Sequence, residues 1–175
     1  MLIRNESPDI VFLMETKLYG SNASSLRVKL GYHNGVVVDS VGRSGGLALL
    51  WREEVNVSVK FMGRFFIDSI ISNAGSDWRF TGFYGNPDRS QRIHSWSLIR
   101  RLSELYQLPW IVGGDFNDIL HPSKKYGGAA VFYSGINSFE MLWTIVGCET
   151  WDLWDRNLRG EKVWVLLIIY MRDWT

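Results

Sequence analysis

Two sheets packed together with helices outside, an α+β arrangement in a single domain, is the fold class that this sequence predicts. Three observations predict it. Short apolar runs separated by turn signals fill the first half of the chain, which is how strands read. A helix, a strand and another helix then follow in that order, so strands come first and helices later. The 175 residues are 46% apolar and 14% aromatic, enough to build one sizeable core and too apolar for a disordered chain.

The elements follow in chain order. Ile10-Val11-Phe12-Leu13-Met14 is a continuous apolar run, the mark of a strand covered on both faces. Val36-Val37-Val38 and Leu47-Ala48-Leu49-Leu50-Trp51 read the same way, joined by a hairpin-type turn over Gly42-Arg43-Ser44-Gly45-Gly46. Val55, Val57 and Val59 alternate with Asn56, Ser58 and Lys60, the pattern of a half-buried strand. Residues 66–71 and 78–84 pair across a turn at 73–77. Between Ser90 and Gln107, Ile93, Trp96, Ile99 (or Leu98), Leu102 and Leu105 recur at helical spacing, with Asp88 or Ser90 as the cap. Trp110-Ile111-Val112 opens another buried strand after Pro109. Ile136, Phe139, Leu142, Trp143 and Val146 outline a second helix that ends near Gly147.

Charge and cysteine content narrow the function classes. Nineteen basic and eighteen acidic side chains nearly cancel, so any nucleic-acid contact has to come from local patches rather than from overall charge. A single cysteine, Cys148, excludes an internal disulfide framework and a multi-cysteine zinc site, and fits a reducing compartment. The N-terminus has no signal-peptide pattern, and the longest apolar run, residues 163–171, is too short to span a membrane. No membrane partner is expected, and the oligomeric state is not legible.

Three short phrases carry chemistry. Gly113-Gly114-Asp115-Phe116-Asn117 follows an apolar strand. A carboxylate and an amide two residues apart there point the same way, and the glycines let a phosphate approach the backbone. Asp115 suits a general base that holds an attacking water, and Asn117 a donor to a phosphate oxygen. The same pentapeptide also fits a Gly-Asp turn with Asn as a local Asx cap. Met14-Glu15-Thr16-Lys17 ends another buried strand, and Glu15 suits a Mg²⁺ ligand, since that ion uses one or two carboxylates and keeps its waters. Taken alone, a Glu leaving a strand is more often a solvated edge residue. Gly82-Phe83-Tyr84-Gly85-Asn86-Pro87 closes a third strand, with Tyr84 either contacting a phosphate or wetting its hydroxyl at a core boundary. Each polar residue stands at the C-terminal end of a buried strand, where sheet folds tend to gather their sites.

Taken in order, residues 8–17, Gly82-Phe83-Tyr84 and Gly114-Asp115-Phe116-Asn117 resemble the exonuclease–endonuclease–phosphatase (DNase I-like) superfamily. Ser40-Val41-Gly42-Arg43-Ser44-Gly45-Gly46-Leu47-Ala48-Leu49-Leu50-Trp51 and Leu108-Pro109-Trp110 are similar to the endonuclease domain of plant LINE-type (non-LTR) retrotransposons. The resemblance covers residues 1–175 as one partial domain and is strongest over 8–147. It implies a four-layered α/β sandwich of two mixed sheets with helices outside, incomplete at both ends. It implies phosphodiester hydrolysis with Mg²⁺ or Mn²⁺, a DNA backbone as partner, and an intracellular site of action, nuclear for a working retroelement endonuclease. The family's metal-binding glutamate falls on Glu15, its phosphate-contacting tyrosine on Tyr84, and its Asp-x-Asn pair on Asp115 and Asn117.

The chain also departs from that pattern. The family's first-strand Asn lies in a Trp-Asn-x-Arg-Gly-Leu phrase that Asn5 does not reproduce. An active-site Asp of the plant elements aligns near Ile168, where the residues are apolar. The terminal Asp-His pair has no counterpart, since His33, His94 and His121 stand elsewhere. Groups that act as one catalytic unit fail together, so little or no nuclease activity is expected. The alternatives are a nonenzymatic remnant with weak nucleic-acid binding and a phosphatase of the same superfamily. Arg89, Arg92, Lys124 and Lys125 could contact a phosphate backbone or could simply be solvated.

Overall fold

The computed structural model describes residues 7–42, 44–73, 75–117 and 167–169. Asn5, His121, Lys124, Lys125, Cys148 and the helix expected to end near Gly147 lie outside those residues. The chain forms two compact units. The first takes in the described residues up to Tyr84 together with 109–115 and 167–169, and the second takes in 85–108 with Phe116 and Asn117.

The first unit is a pair of sheets. Strands β1 (Ile10–Met14), β2 (Asn34–Val41), β3 (Ser44–Trp51) and β8 (Leu167–Ile169) form one, in the order β2-β3-β1-β8, and every pairing in it is antiparallel. Strands β4 (Asn56–Gly63), β5 (Phe66–Asn73), β6 (Ser76–Tyr84) and β7 (Trp110–Asp115) form the other in sequence order. Its first two pairings are antiparallel, and β7 runs parallel to β6. Among the described residues, then, only the second sheet is mixed.

Side-chain alternation explains the layers. From the first sheet, Ile10, Phe12, Met14, Leu47 and Leu49 face inward, and Ile67, Ile71, Trp78, Phe80 and Tyr84 meet them from the second. The intervening residues of β1 and β3 (Val11, Leu13, Ala48 and Leu50) point to the other face, where Tyr32 and the half-buried Leu26 and Leu30 cover them. All five β1 residues are buried, which is why this strand reads as an unbroken apolar run instead of an alternating one. Phe12 and Phe80 meet edge to face with centroids 6.0 Å apart. Gly82 lets the sheets close there, since a Cβ on it would lie 2.3 Å from the Phe12 ring.

Leu26 and Leu30 belong to one of two short helices, α1 (Gly20–Ser24) and α2 (Leu26–Leu30), that the sequence did not announce. α2 ends on Gly31 at φ 82°, the left-handed stop that glycine supplies. The turns are tighter than the sequence predicts. Ser44, Gly45 and Gly46 belong to β3, and the β5–β6 hairpin keeps Asn73 and Ser76 within its strands.

In the second unit, Asp88 starts a 3₁₀ turn (Arg89–Gln91) that runs into helix α3 (Arg92–Ser103). The Asp88 carboxylate accepts from the Ser90 backbone N–H at 2.9 Å and so caps the 3₁₀ turn, whereas Gln91, which precedes α3 itself, makes no side-chain cap bond. Trp96, Ile99 and Leu102 are buried, whereas Ile93 in the first turn and Leu105 beyond the last are exposed. The apolar stripe is therefore shorter than its sequence spacing suggests.

Candidate active site

The geometry of the β1 exit depends on two glycines of β3. Beyond Met14 the chain turns through Glu15 and Lys17, each at φ 53°, with buried Thr16 between them. Non-glycine residues in this region cost about 1–3 kcal/mol each and persist only where neighbours hold them. Here the Thr16 and Lys17 amides donate to the Gly46 and Gly45 carbonyls, both at 3.0 Å. A Cβ on Gly46 would lie 2.3 Å from Thr16 Oγ1, so glycine is what lets the turn seat.

That turn presents Glu15 to Tyr84. The tyrosine ring is buried in the core at the end of β6, and its hydroxyl donates to Glu15 Oε1. The other carboxylate oxygen of Glu15 lies 3.9 Å from Lys17 Nζ, with both side chains more than a third exposed. The sequence suggests a phosphate or water partner for Tyr84; among the protein's own groups, its hydroxyl meets the Glu15 carboxylate.

Asp115 closes β7 and pairs in register with Tyr84 on β6. Its backbone N–H points to Met14 Sδ at 3.2 Å, one residue before Glu15. Glu15, Tyr84 and Asp115 are thus brought together at three adjoining strand ends. Gly114, before Asp115, has a packing role of its own. A Cβ on Gly114, at φ 146°, would fall 1.8 Å from the Phe83 carbonyl oxygen, so glycine there lets β7 close against β6.

Asn117 belongs to the second unit, at φ 52°. Its side-chain amide donates to the Gly85 carbonyl at 2.6 Å, a partner far away in sequence. Phe116 stacks on Trp96, centroids 5.9 Å apart and planes 7° from parallel. A Cβ on Gly85 would collide with the Phe116 backbone at 2.0 Å, so Gly85 and Phe116–Asn117 fit as one piece. In the same unit Arg89 is exposed and Arg92 half-buried.

Ile168 pairs with Val11, near the start of β1, rather than beside the Met14–Glu15 end. A carboxylate at 168 would therefore stand away from Glu15 along the strand. Sequence reading also missed Asp68 and Arg79, both fully buried and joined to each other. Nothing in their spacing shows that the outward face of that sheet is covered.

Among the described residues, no three His, Cys, Asp or Glu side chains gather as a metal cage. The oxygen donors present suit a hard divalent cation that keeps most of its waters, with Glu15 as its carboxylate. No helix among the described residues is long and apolar enough to cross a membrane.

Comparisons with known proteins agree with this architecture. The family model described as the endonuclease/exonuclease/phosphatase family matches residues 1–161. An AP endonuclease from Leishmania major matches in structure with TM-score 0.58 and 15% identity, over 83% of this chain and 59% of its own. The catalytic domain of human Nocturnin, solved with bound sulfate, matches with TM-score 0.48 and 18% identity, over 66% of this chain and 54% of its own. Truncated TDP2 from Caenorhabditis elegans matches with TM-score 0.46 and 16% identity, over 67% and 52%. The chain therefore spans little more than half of each of these structures. No curated protein matches the sequence. With nearly its whole length matched by one family model and its two-sheet sandwich shared with the Leishmania enzyme, the chain belongs to the endonuclease/exonuclease/phosphatase family.

Proposed function

We propose that this chain is a Mg²⁺- or Mn²⁺-dependent phosphodiesterase domain of the DNA-endonuclease type, derived from a LINE-type retrotransposon, and that it hydrolyses its substrate slowly. The observation that carries the reading is the meeting of Glu15, Tyr84 and Asp115, with the Tyr84 hydroxyl on Glu15 and Asp115 in register beside it. The phrases at 40–51 and 108–110 favour the retroelement origin, and the AP endonuclease match favours DNA as substrate.

In this reading Glu15 holds the cation, and its bond from Tyr84 fixes the carboxylate so that one oxygen remains for the metal. A bound divalent ion would offset charge developing on the phosphate and the leaving oxygen. Asp115 takes the proton from the attacking water. Asn117 donates to a phosphate oxygen. Lys17 neutralises part of the carboxylate charge when no cation is bound, so cation and ammonium compete for Glu15. The sequence, in which Asn5 stands outside the family's first-strand phrase, leads to an expectation of little or no activity, and slow turnover is the reading proposed here. Arg89, Arg92, Lys124 and Lys125 are the groups proposed to touch the DNA backbone.

Substrate competition tests the assignment. With Mg²⁺, duplex DNA should be cleaved in preference to soluble phosphomonoesters. Faster release of phosphate from a monoester than cleavage of DNA would make the protein a phosphatase of the same family. Binding of DNA with no turnover of either would make it a nonenzymatic remnant.

A further inference from the structure

The parallel pairing of β6 with β7 poses a register problem that the rest of the sheet does not have. The β5–β6 pair is set by its tight hairpin. β7 instead returns to β6 after the crossover of residues 85–109, and a connection of that length leaves the register open. A slip of one residue would turn Asp115 to the opposite face of the sheet.

We propose that the chain from buried Asp68, Arg79 and Thr81 to half-buried Trp110 is a register lock that positions Asp115 beside Tyr84. It spans three strands. On β5, Asp68 is fully buried and accepts from Arg79 Nε at 2.8 Å and Nη2 at 3.1 Å, a two-point bond that also fixes the guanidinium plane. The Thr81 hydroxyl donates to Asp68 Oδ1 at 2.5 Å, and in turn accepts from Trp110 Nε1 at 2.8 Å. Arg79 lies 4.7 Å over the Trp110 ring, and its own N–H donates to the Pro109 carbonyl at 2.8 Å. Trp110 thus has a partner for its N–H and a cation on its face only when it stands opposite Arg79, which is the register observed. Tyr84 opposite Asp115 is the other end of the same ladder.

A well-packed apolar set would fill this space without the desolvation that a buried ion pair costs, so stability alone is a poor reason for it. Directional bonds discriminate between registers in a way that apolar packing does not. Asp68, Arg79, Thr81 and Trp110 act on Asp115 through the strand, as positioning residues. The consequence for catalysis rests on the phosphodiesterase reading above; the register claim does not.

The test compares the full chain with Asp68→Leu/Arg79→Met, Thr81→Val and Trp110→Phe, each followed by amide NMR, hydrogen exchange and urea unfolding. The lock requires the double variant to keep or raise its unfolding midpoint while the Gly113 and Gly114 amides lose protection at least tenfold and split into more than one set of signals. Thr81→Val, nearly isosteric, should show the same splitting in milder form, and Thr81→Ser should restore a single set. A lower midpoint with one sharp set of Gly113 and Gly114 signals and unchanged protection would reduce the network to ordinary stabilisation and overturn the proposal. Should the double variant not fold, Thr81→Val and Trp110→Phe decide by the same signals. Where DNA cleavage is measurable, kcat should fall with KM unchanged; an absence of cleavage in every protein would count against the phosphodiesterase reading alone, because the amide signals need no turnover.

Discussion

Tyr84 is the residue on which the site turns, because its ring belongs to the core and its hydroxyl to Glu15. Tyr84→Phe keeps the ring and removes only that donor. Glu15 is partly solvated, so the loss of stability should stay within about 1 kcal/mol, while turnover should drop by about 10–100-fold, as for other groups that orient a metal ligand. Thermal melts run beside DNA cleavage separate the two, and equal activity in both proteins would remove Tyr84 from the mechanism. Gly114 makes a different kind of demand. Its positive φ and its approach to the Phe83 carbonyl leave no room for a Cβ. Gly114→Ala should cost at least about 2 kcal/mol in urea unfolding. A loss of a few tenths would mean that β7 moves away from β6 at little cost. Three of the four residues singled out by their spacing do gather, since strand-end polar groups are legible wherever an apolar run stops. The two-strand partnership of Asp68 and Arg79 was not legible, because a charged residue on a strand normally marks a solvent-facing side.

At the scale of elements, the strands with strong β-residue runs were legible and the short helices were not. β1 and β3 announce themselves because both faces are covered, and β4 because its faces alternate. α1 carries the sequence Gly-Ser-Asn-Ala-Ser with no side-chain cap, and α2 lasts barely more than a turn. Neither has length enough for a helical period to emerge, and packing of Leu26 and Leu30 under the sheet supports α2. α3 had its stripe in the sequence, and Asp88 was legible as the cap of the 3₁₀ turn that leads into it. The Ser90 hydroxyl and then the Ser90 amide, both donating to the Asp88 carboxylate, hold its pKa below the usual aspartate value. A carboxylate with a depressed folded-state pKa contributes its stability fully above the unfolded value and loses it as pH falls through the folded one. The cap should thus be intact at neutral pH and be lost only below about pH 4. The Ser90 amide shift, followed by NMR, should titrate below that point in the parent and show no such step in Asp88→Asn, which keeps a capping oxygen. Titration of that amide above the ordinary aspartate range would contradict the bond.

Across the whole molecule, the two-sheet class was legible because apolar runs, turn signals and their order are global features that single errors do not disturb. The turn lengths, the wholly antiparallel first sheet among the described residues and the fitting of Gly85 to Phe116 were not, because each depends on which surfaces meet. Family membership follows from the match over residues 1–161, and chemistry depends on whether the assembled strand ends still work as a unit. The direct measurement is nicking of supercoiled plasmid by the parent, Glu15→Ala and Asp115→Ala proteins, each shown to be folded, with Mg²⁺ and with the metal chelated. Slow nicking by the parent that vanishes on chelation and in both variants is the expected result. Nicking that survives in Asp115→Ala, or none from the folded parent, would contradict a working phosphodiesterase site at Glu15, Tyr84 and Asp115.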